Sequence, residues 1–213
     1  MSLRDRRVQY ETAGLDRIDL NLDPIVQWNL WYEEASSAGV AEPNAMTVST
    51  IDKDSAPDSR IVLARSVDTD GFVFYTNYDS AKSLQLLASP VASAVFAWLD
   101  LHRQVRVRGT VHQVSAQQSD DYFASRPRES QLGAWASPQS RVIPDRNFIE
   151  ARLVEAREKF ADRAVTRPDT WGGWCIVPVS VEFWQGRPSR LHDRFVYSRE
   201  KNNSQWKIER LAP

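Results

Sequence analysis

The sequence predicts a mainly β, α+β fold, a closed antiparallel barrel with helices packed around it. Three observations predict it. Runs with strand character outnumber helical ones, neighbouring runs are joined by short Asp/Gly/Pro-bearing turns, and the helices lack the regular strand–helix alternation of a parallel sheet. The 213 residues, 42% hydrophobic and 26% charged, suffice for one sizeable core. No repeat, low-complexity tract or Gly/Ser linker marks a second domain. The expected division is a polar segment over 1–20, extended or mobile, and one domain over 21–213.

Asp23-Pro24 offers an N-cap and a first-turn proline, and Ile25, Trp28, Trp31/Tyr32 and Ala35 follow at helical spacing, with Gly39 as the stop. Strand runs come next at 45–51, 60–67, 72–76 and 92–98, and a short helix over 80–88 separates the last two. From 103 to 114 the pattern alternates. Val105, Val107 and Val111 form a core face, and Gln104, Arg106, Arg108 and His112 form a polar one. Ser115 to Gln118 has the form of a capping box, opening a helix that carries Tyr122 and Phe123 and ends before Arg126-Pro127. A longer helix starts near Asp145, with Ile149, Leu153, Ala156 and Phe160 as its apolar stripe. The chain then returns to strands at 174–184, 191–199 and 205–210.

Composition excludes several function classes. A formal net charge of −1 lacks the basic footprint of a general nucleic-acid or membrane binder. No apolar run approaches the roughly 18 residues of a membrane span, and Met1 to Arg7 is not followed by a secretory apolar core, so a cytoplasmic protein is expected. Cys175 is the single cysteine and sits among apolar residues, which suits a buried inert thiol; redox chemistry would need a cofactor. Dinucleotide, P-loop, zincin and serine-hydrolase motifs are absent. His102, His112 and His192 are too scattered to signal a metal, and His102 and His112 read as structural or solvated.

Of the 27 basic residues 22 are Arg, whose planar fork grips phosphate and carboxylate in a bidentate way. They gather in short segments at 60–65, 75–82, 125–131, 139–141 and 190–194, enough to serve two anions. In segment 60–65, Arg60, Val62 and Ala64 share one face of a strand and Ile61, Leu63 and Arg65 the other, so the two arginines are expected to point opposite ways. Taken singly, each Arg is more often a solvated charge or an ion-pair partner.

The segments Phe74-Tyr75-Thr76-Asn77, Ser125-Arg126-Pro127-Arg128, Ser130 to Ser137 with Gln139-Ser140, Val181 to Gly186, and Arg190 to Phe195 resemble the motifs of the pyridoxamine/pyridoxine 5′-phosphate oxidase family. The resemblance runs in one register from about Arg7 to Pro213. It implies an antiparallel FMN-binding split β-barrel, a homodimer with FMN at the subunit interface. FMN contacts are implied at Arg60, Ile61, Val62, Leu63, Ala64 and Arg65, then at Tyr75, Thr76, Lys82 and Gln104, and finally at Gln139, Ser140, Trp184 and Arg194. Substrate contacts are implied at Arg65, Tyr122, Arg126 and Ser130, which would hold a phosphate, and at Arg190, Leu191 and His192. Arg7 and Tyr10 occupy the family's N-terminal pattern that closes over the site, which makes segment 1–20 a lid.

Two positions depart from the commonest pattern: Arg65 stands where Lys is usual, and Ala81 where an Arg often precedes Lys82. The first changes reach and geometry at constant charge. The second leaves Lys82 and Arg60 to carry more of the FMN phosphate.

The resemblance further implies oxidation of the C4′ amine or alcohol of a phosphorylated B6 vitamer, with O2 as final acceptor. His192 and Arg194 are the catalytic candidates, Arg194 for orientation and charge stabilisation because Arg does not readily lose its proton. Two other readings stay open, a different flavin-dependent oxidase or reductase on the same barrel, and a non-catalytic carrier of FMN or pyridoxal phosphate.

Overall fold

The structure, a computed structural model, describes residue 10, residues 14–200 and residues 205–213. Among the described residues it contains nine strands and five α-helices. Helix α1 spans Pro24–Ser37, and strands β1 (Ala45–Ile51), β2 (Pro57–Leu63), β3 (Ser66–Asp68) and β4 (Gly71–Asn77) follow. Then come α2 (Ala81–Ala88), β5 (Val91–Trp98), β6 (Arg103–Gln113), α3 (Ala116–Ser125), α4 (Arg128–Ala136) and α5 (Arg146–Phe160). Strands β7 (Trp171–Gln185), β8 (Asp193–Ser198) and β9 (Lys207–Leu211) complete the order.

All strand pairs are antiparallel, in the order β2-β1-β5-β6-β7-β4-β3, with β8 on β7 and β9 on β8. The end strands β2 and β3 are consecutive in the chain, joined only by Ala64 and Arg65. The sheet must therefore curl until its ends meet. Closure is by chain and not by a ladder: Ala64 N–H donates to the Asn44 carbonyl at 2.9 Å on one side, and Arg65 N–H to the Val73 carbonyl at 2.8 Å on the other. This is the split barrel that the resemblance implies, and it corrects the closed barrel read from the pattern of runs. Strand β7 is too long for one partner on that edge, pairing with β4 through Trp171 to Ile176 and with β8 through Ser180 to Gln185.

Alternation decides which side is core. Val48 and Met46 of β1, Ala94 and Phe96 of β5, and Val105 and Val107 of β6 are buried, while Arg106 and Arg108 between them are exposed. Helix α1 closes the barrel with Trp28 and Trp31. The Trp28 ring meets Phe72 and Phe96 edge-on at 5.8 and 5.0 Å, and Trp31 meets Phe183 edge-on at 5.2 Å. A smaller core of Phe123, Leu132, Ala156, Phe160, Val165 and Trp171 packs α3, α4 and α5 against the start of β7.

The anticipated cap at Asp23 forms, accepting from Ile25 N–H, and of the box at Ser115 the half in which Ser115 accepts from Gln118 N–H is seen; Asp145 also caps its helix, accepting from Phe148 N–H. Three features differ from expectation. The 60–67 run breaks at Ala64-Arg65, where the chain changes barrel edge. Helix α4 was read as a motif and not as a helix; Pro127 gives it no side-chain cap, and tertiary contacts hold it, including Gln131 Nε2 donating to the Phe123 carbonyl at 2.9 Å. Strand β7 begins at Trp171 and not at 174.

Of segment 1–20, the described part from Gly14 onward is anchored. Leu15 and Leu20 are buried in the main core, and Leu15 N–H donates to Asp193 Oδ2 at 3.0 Å. No helix among the described residues is long and apolar enough to cross a membrane.

Candidate functional site

A cleft of about 610 Å³ opens where β2, the end of β4, the start of α2, and the α3–α4 region converge. One end is a cationic cluster. Arg60 Nη1 donates to Thr50 Oγ1 at 2.6 Å and to the Val48 carbonyl at 3.3 Å, while its Nη2 is 2.5 Å from Asp58 Oδ2. Lys82 lies in the first turn of α2 and is buried, its Nζ donating to Thr76 Oγ1 at 3.0 Å. Burial pushes the Lys82 pKa down and the charge of Arg60 adds to the push, with Asp58 opposing. The Thr76 hydroxyl in turn donates to Gln139 Oε1 at 3.1 Å.

The other end is aromatic and cationic. Tyr75 and Tyr122 stack at 4.0 Å, and Trp171 lies parallel to both at 5.5 and 6.2 Å. The Arg126 guanidinium sits over Trp171 at 4.6 Å, and Arg65 lies 5.9 Å from the Tyr122 ring. Arg126 Nη1 is buried and finds no hydrogen-bond partner among the described residues. Burial holds the Arg126 pKa below its ordinary value, Tyr122 opposing and Arg65 adding to the depression. An unsatisfied buried guanidinium nitrogen is costly, and an anion accepting from it relieves the cost.

Arg60 and Arg65 line the same cleft, which corrects the expectation that they face opposite ways. Arg65 lies beyond the end of β2, where strict alternation no longer applies. Ile61, Val62, Leu63, Tyr75, Thr76, Lys82, Tyr122, Arg126, Gln139 and Ser140 line it as well. Ala64 is buried in the main core instead. Ser130 faces an adjoining cavity of about 300 Å³ that shares Arg126, Gln139 and Trp171 with the cleft. Arg128 of the same motif caps α5, donating to the carbonyls of Phe160, Ala161 and Arg163.

The remaining expected residues form a second group outside this cleft. Gln104, Trp184 and Arg194 are register partners across β6, β7 and β8, so the three side chains share one face. Buried Glu182 accepts from Arg194 Nε and from Arg106 Nη1, both at 2.9 Å, and Arg194 Nη1 donates to the Ala212 carbonyl at 2.9 Å. The His192 ring lies 4.6 Å from Trp184, and its Nδ1 accepts from Arg187 N–H at 3.1 Å. A neutral ring held that way carries its proton on Nε2. Arg190 and Leu191 are exposed, and Arg190 has φ +63°. Tyr10 packs on His102 at 4.1 Å, with Trp184 and His192 at 6.2 and 5.8 Å. Arg7 lies outside the described residues.

Trp171, Asp58 and Gln85 escaped the sequence reading. The signal for Trp171 was the pair Gly172-Gly173 inside a strand, which marks close approach. A Cβ at Gly172 would stand 2.1 Å from the Tyr78 hydroxyl, and one at Gly173 would stand 2.8 Å from the Tyr75 ring.

The geometry suits a group with an anionic terminus: a cationic cluster at one end of the cleft, and a buried unpartnered guanidinium donor at the other. Comparison with known proteins gives the family. A family model described as pyridoxamine 5′-phosphate oxidase matches residues 32–160, and one described as pyridoxine 5′-phosphate oxidase C-terminal dimerisation region matches residues 171–213. A pyridoxine/pyridoxamine 5′-phosphate oxidase of Burkholderia mallei (strain SAVP1) is 50% identical over 213 residues, covering 100% of this chain and 99% of the relative. The crystal structure of PhzG from Burkholderia lata 383, in complex with tetrahydrophenazine-1-carboxylic acid, superposes with a TM-score of 0.88 at 27% identity. That match covers 96% of this chain and 100% of PhzG. A pyridoxamine 5′-phosphate oxidase-related, FMN-binding protein from Nostoc punctiforme PCC 73102 shares the fold, with a TM-score of 0.71 at 17% identity over 91% of this chain and 100% of that one.

Proposed function

The chain belongs to the pyridoxamine 5′-phosphate oxidase family, and from that premise we propose that it oxidises pyridoxine 5′-phosphate and pyridoxamine 5′-phosphate to pyridoxal 5′-phosphate, using FMN and O2 and releasing H2O2, with water consumed and ammonia released in addition when the amine is the substrate. Membership of an oxidase family makes it an oxidoreductase. The observation that carries the finer reading is the buried, unpartnered Nη1 of Arg126, flanked by Arg65 and Tyr122 in the cleft and by Ser130 next door. A phosphate monoester accepts from such donors, and as a remote anchor it fixes the ring that reacts.

Bound FMN would supply the two-electron acceptor that O2 reoxidises. Arg60, Lys82, Thr76, Gln139 and Ser140 would hold it from the cleft. Gln104, Trp184 and Arg194 lie on another face, so in our reading they reach the cofactor of a second copy in a homodimer. The match of residues 171–213 to a dimerisation region supports this arrangement.

Each chain residue then has a defined task. Arg126, Arg65, Tyr122 and Ser130 bind the substrate phosphate. His192 donates from Nε2 to the reacting end, because Nδ1 is occupied by Arg187 N–H. Arg194, braced by Glu182, orients that end and stabilises developing charge. Tyr10, packed on His102 and near His192, covers the site from the N-terminal side.

The likeness to PhzG favours one alternative, oxidation of a larger unphosphorylated ring acid. Oxygen consumption and peroxide release with pyridoxine 5′-phosphate and pyridoxamine 5′-phosphate test the choice. Turnover of both, with no turnover of pyridoxine itself, is expected. Absence of peroxide with either phosphate would sink the B6 reading.

A further inference from the structure

Asp58 stands in the cationic end of the cleft, where a bound phosphate would need the same donors. Its Oδ2 lies 2.5 Å from Arg60 Nη2 and accepts from Gln85 Nε2 at 3.0 Å. Gln85 also holds Thr50, whose hydroxyl donates to Gln85 Oε1, and Arg60 Nη2 reaches the same Oε1 at 3.2 Å. Arg60 is thus engaged on both terminal nitrogens by the protein itself. The neighbouring position 81, which could have added a cation, is Ala.

The electrostatics point the same way. The Asp58 carboxyl is held below its ordinary range, by the Gln85 hydrogen bond first and by the charge of Arg60 against the opposing cost of burial, so it is ionised at neutral pH. The cluster facing an incoming phosphate contains Arg60 and Lys82 as cations and Asp58 as an anion. One negative charge among two positive ones opposes a phosphate dianion and leaves an uncharged ligand nearly unaffected.

Resting on the flavin reading above, we propose that Asp58 is a built-in counter-ion that competes with the cofactor phosphate for Arg60, and so sets how strongly this cleft prefers a phosphorylated flavin over an unphosphorylated one. With no anion bound, Asp58 is the acidic partner of Arg60, whose side chain is largely shielded from solvent. The 2.5 Å contact and the Gln85 brace keep the carboxylate at that place.

The test is Asp58→Asn, which keeps the side-chain shape and an oxygen to accept from Gln85. Full-length protein is stripped of flavin by dialysis, checked by circular dichroism for an unchanged fold, and titrated with FMN and with riboflavin, following flavin fluorescence. Asp58→Asn should tighten FMN by roughly three- to tenfold at low ionic strength and leave riboflavin within twofold. The gain should shrink as salt is added. A weaker FMN constant in the variant would overturn the proposal, because Asp58 would then be pre-organising Arg60 and not competing for it. Equal changes for both flavins would overturn it too. A wild-type protein that bound neither flavin would instead remove the flavin reading itself.

Discussion

Glu182 braces Arg194 across β7 and β8, with Oε1 2.9 Å from Arg194 Nε while Oε2 holds Arg106 at the same distance. The carboxylate is buried and Arg194 is largely shielded from solvent, so this is not an exposed ion pair of small consequence; removing the acid frees Nε of Arg194 while the exposed Arg106 returns to water. Glu182→Gln should therefore fold with some loss of stability and let Arg194 turn away. If Arg194 acts in the chemical step, Glu182→Gln and Arg194→Leu should both slow anaerobic flavin reduction at saturating substrate, and the double variant should be no slower than Arg194→Leu alone. Fully additive losses in the double variant would show that Glu182 does not act through Arg194.

At the opposite end, Arg126→Ala should weaken phosphorylated substrates by about tenfold to a hundredfold, the worth of roughly 1.5–3 kcal/mol for a charge-assisted contact. The variant also removes a buried cation whose Nη1 has no partner, so thermal stability should hold or rise slightly. FMN content should stay near that of the parent. Lost FMN with unchanged KM would mean that Arg126 serves the cofactor and not the substrate.

The parts of this arrangement that were legible in sequence are those governed by local rules. The cap at Asp23, the Ser115 half of the box that opens α3, and the alternation of β6 depend on neighbours a few residues away, and they form as the sequence indicates. The division of the site into two faces was not legible. Whether Arg65 shares a cleft with Arg60 depends on where β2 stops, and β2 stops because Ala64 and Arg65 carry the chain from β1 to β4. Helix α4 was equally hidden, since its Arg128 and Gln131 secure it by bonds to carbonyls of α5 and α3 and not by a cap of its own. Asp58 could be seen only as one acid among many until its carboxylate was found on Arg60.

Alkaline pH should destabilise the protein. Burial pushes the Cys175 thiol up to about 12, helped by Asp68 and Asp70, and burial raises the Tyr197 hydroxyl as well. Above the thiol's ordinary range the unfolded chain has lost a proton that the folded chain still holds, so stability falls with rising pH until the folded thiol also titrates. Each such group contributes a slope of about 1.4 kcal/mol per pH unit. Urea midpoints at about pH 9 and about pH 11 should therefore differ, with part of the loss absent in Cys175→Ala. A midpoint independent of pH over that window would show that these groups are not buried in the native state. For the same reason native Cys175 should resist alkylation at neutral pH and react once the chain is unfolded.

The Tyr10 contact makes a sharper demand on Gly186. A Cβ at that position would stand 2.7 Å from Tyr10 Cδ2 and 2.8 Å from His102 Cβ, and Gly186 N–H donates to the His102 carbonyl at 2.7 Å. His102 itself is in the left-handed region, at φ +51°, which holds its ring against Tyr10. Neither His102 nor the hairpin backbone can retreat cheaply, so Gly186→Ala should expel the Tyr10 ring and leave the β7 ladder intact. If Tyr10 covers bound substrate, KM for the phosphorylated vitamer should rise severalfold while the limiting rate of flavin reduction changes little, since the ring makes contacts that are equal in ground and transition states. Tyr10→Ala should give the same KM, and combining it with Gly186→Ala should add nothing further. A Gly186→Ala protein that kept the parent KM would show that the seat formed by His102 and Gly186 has no part in holding substrate.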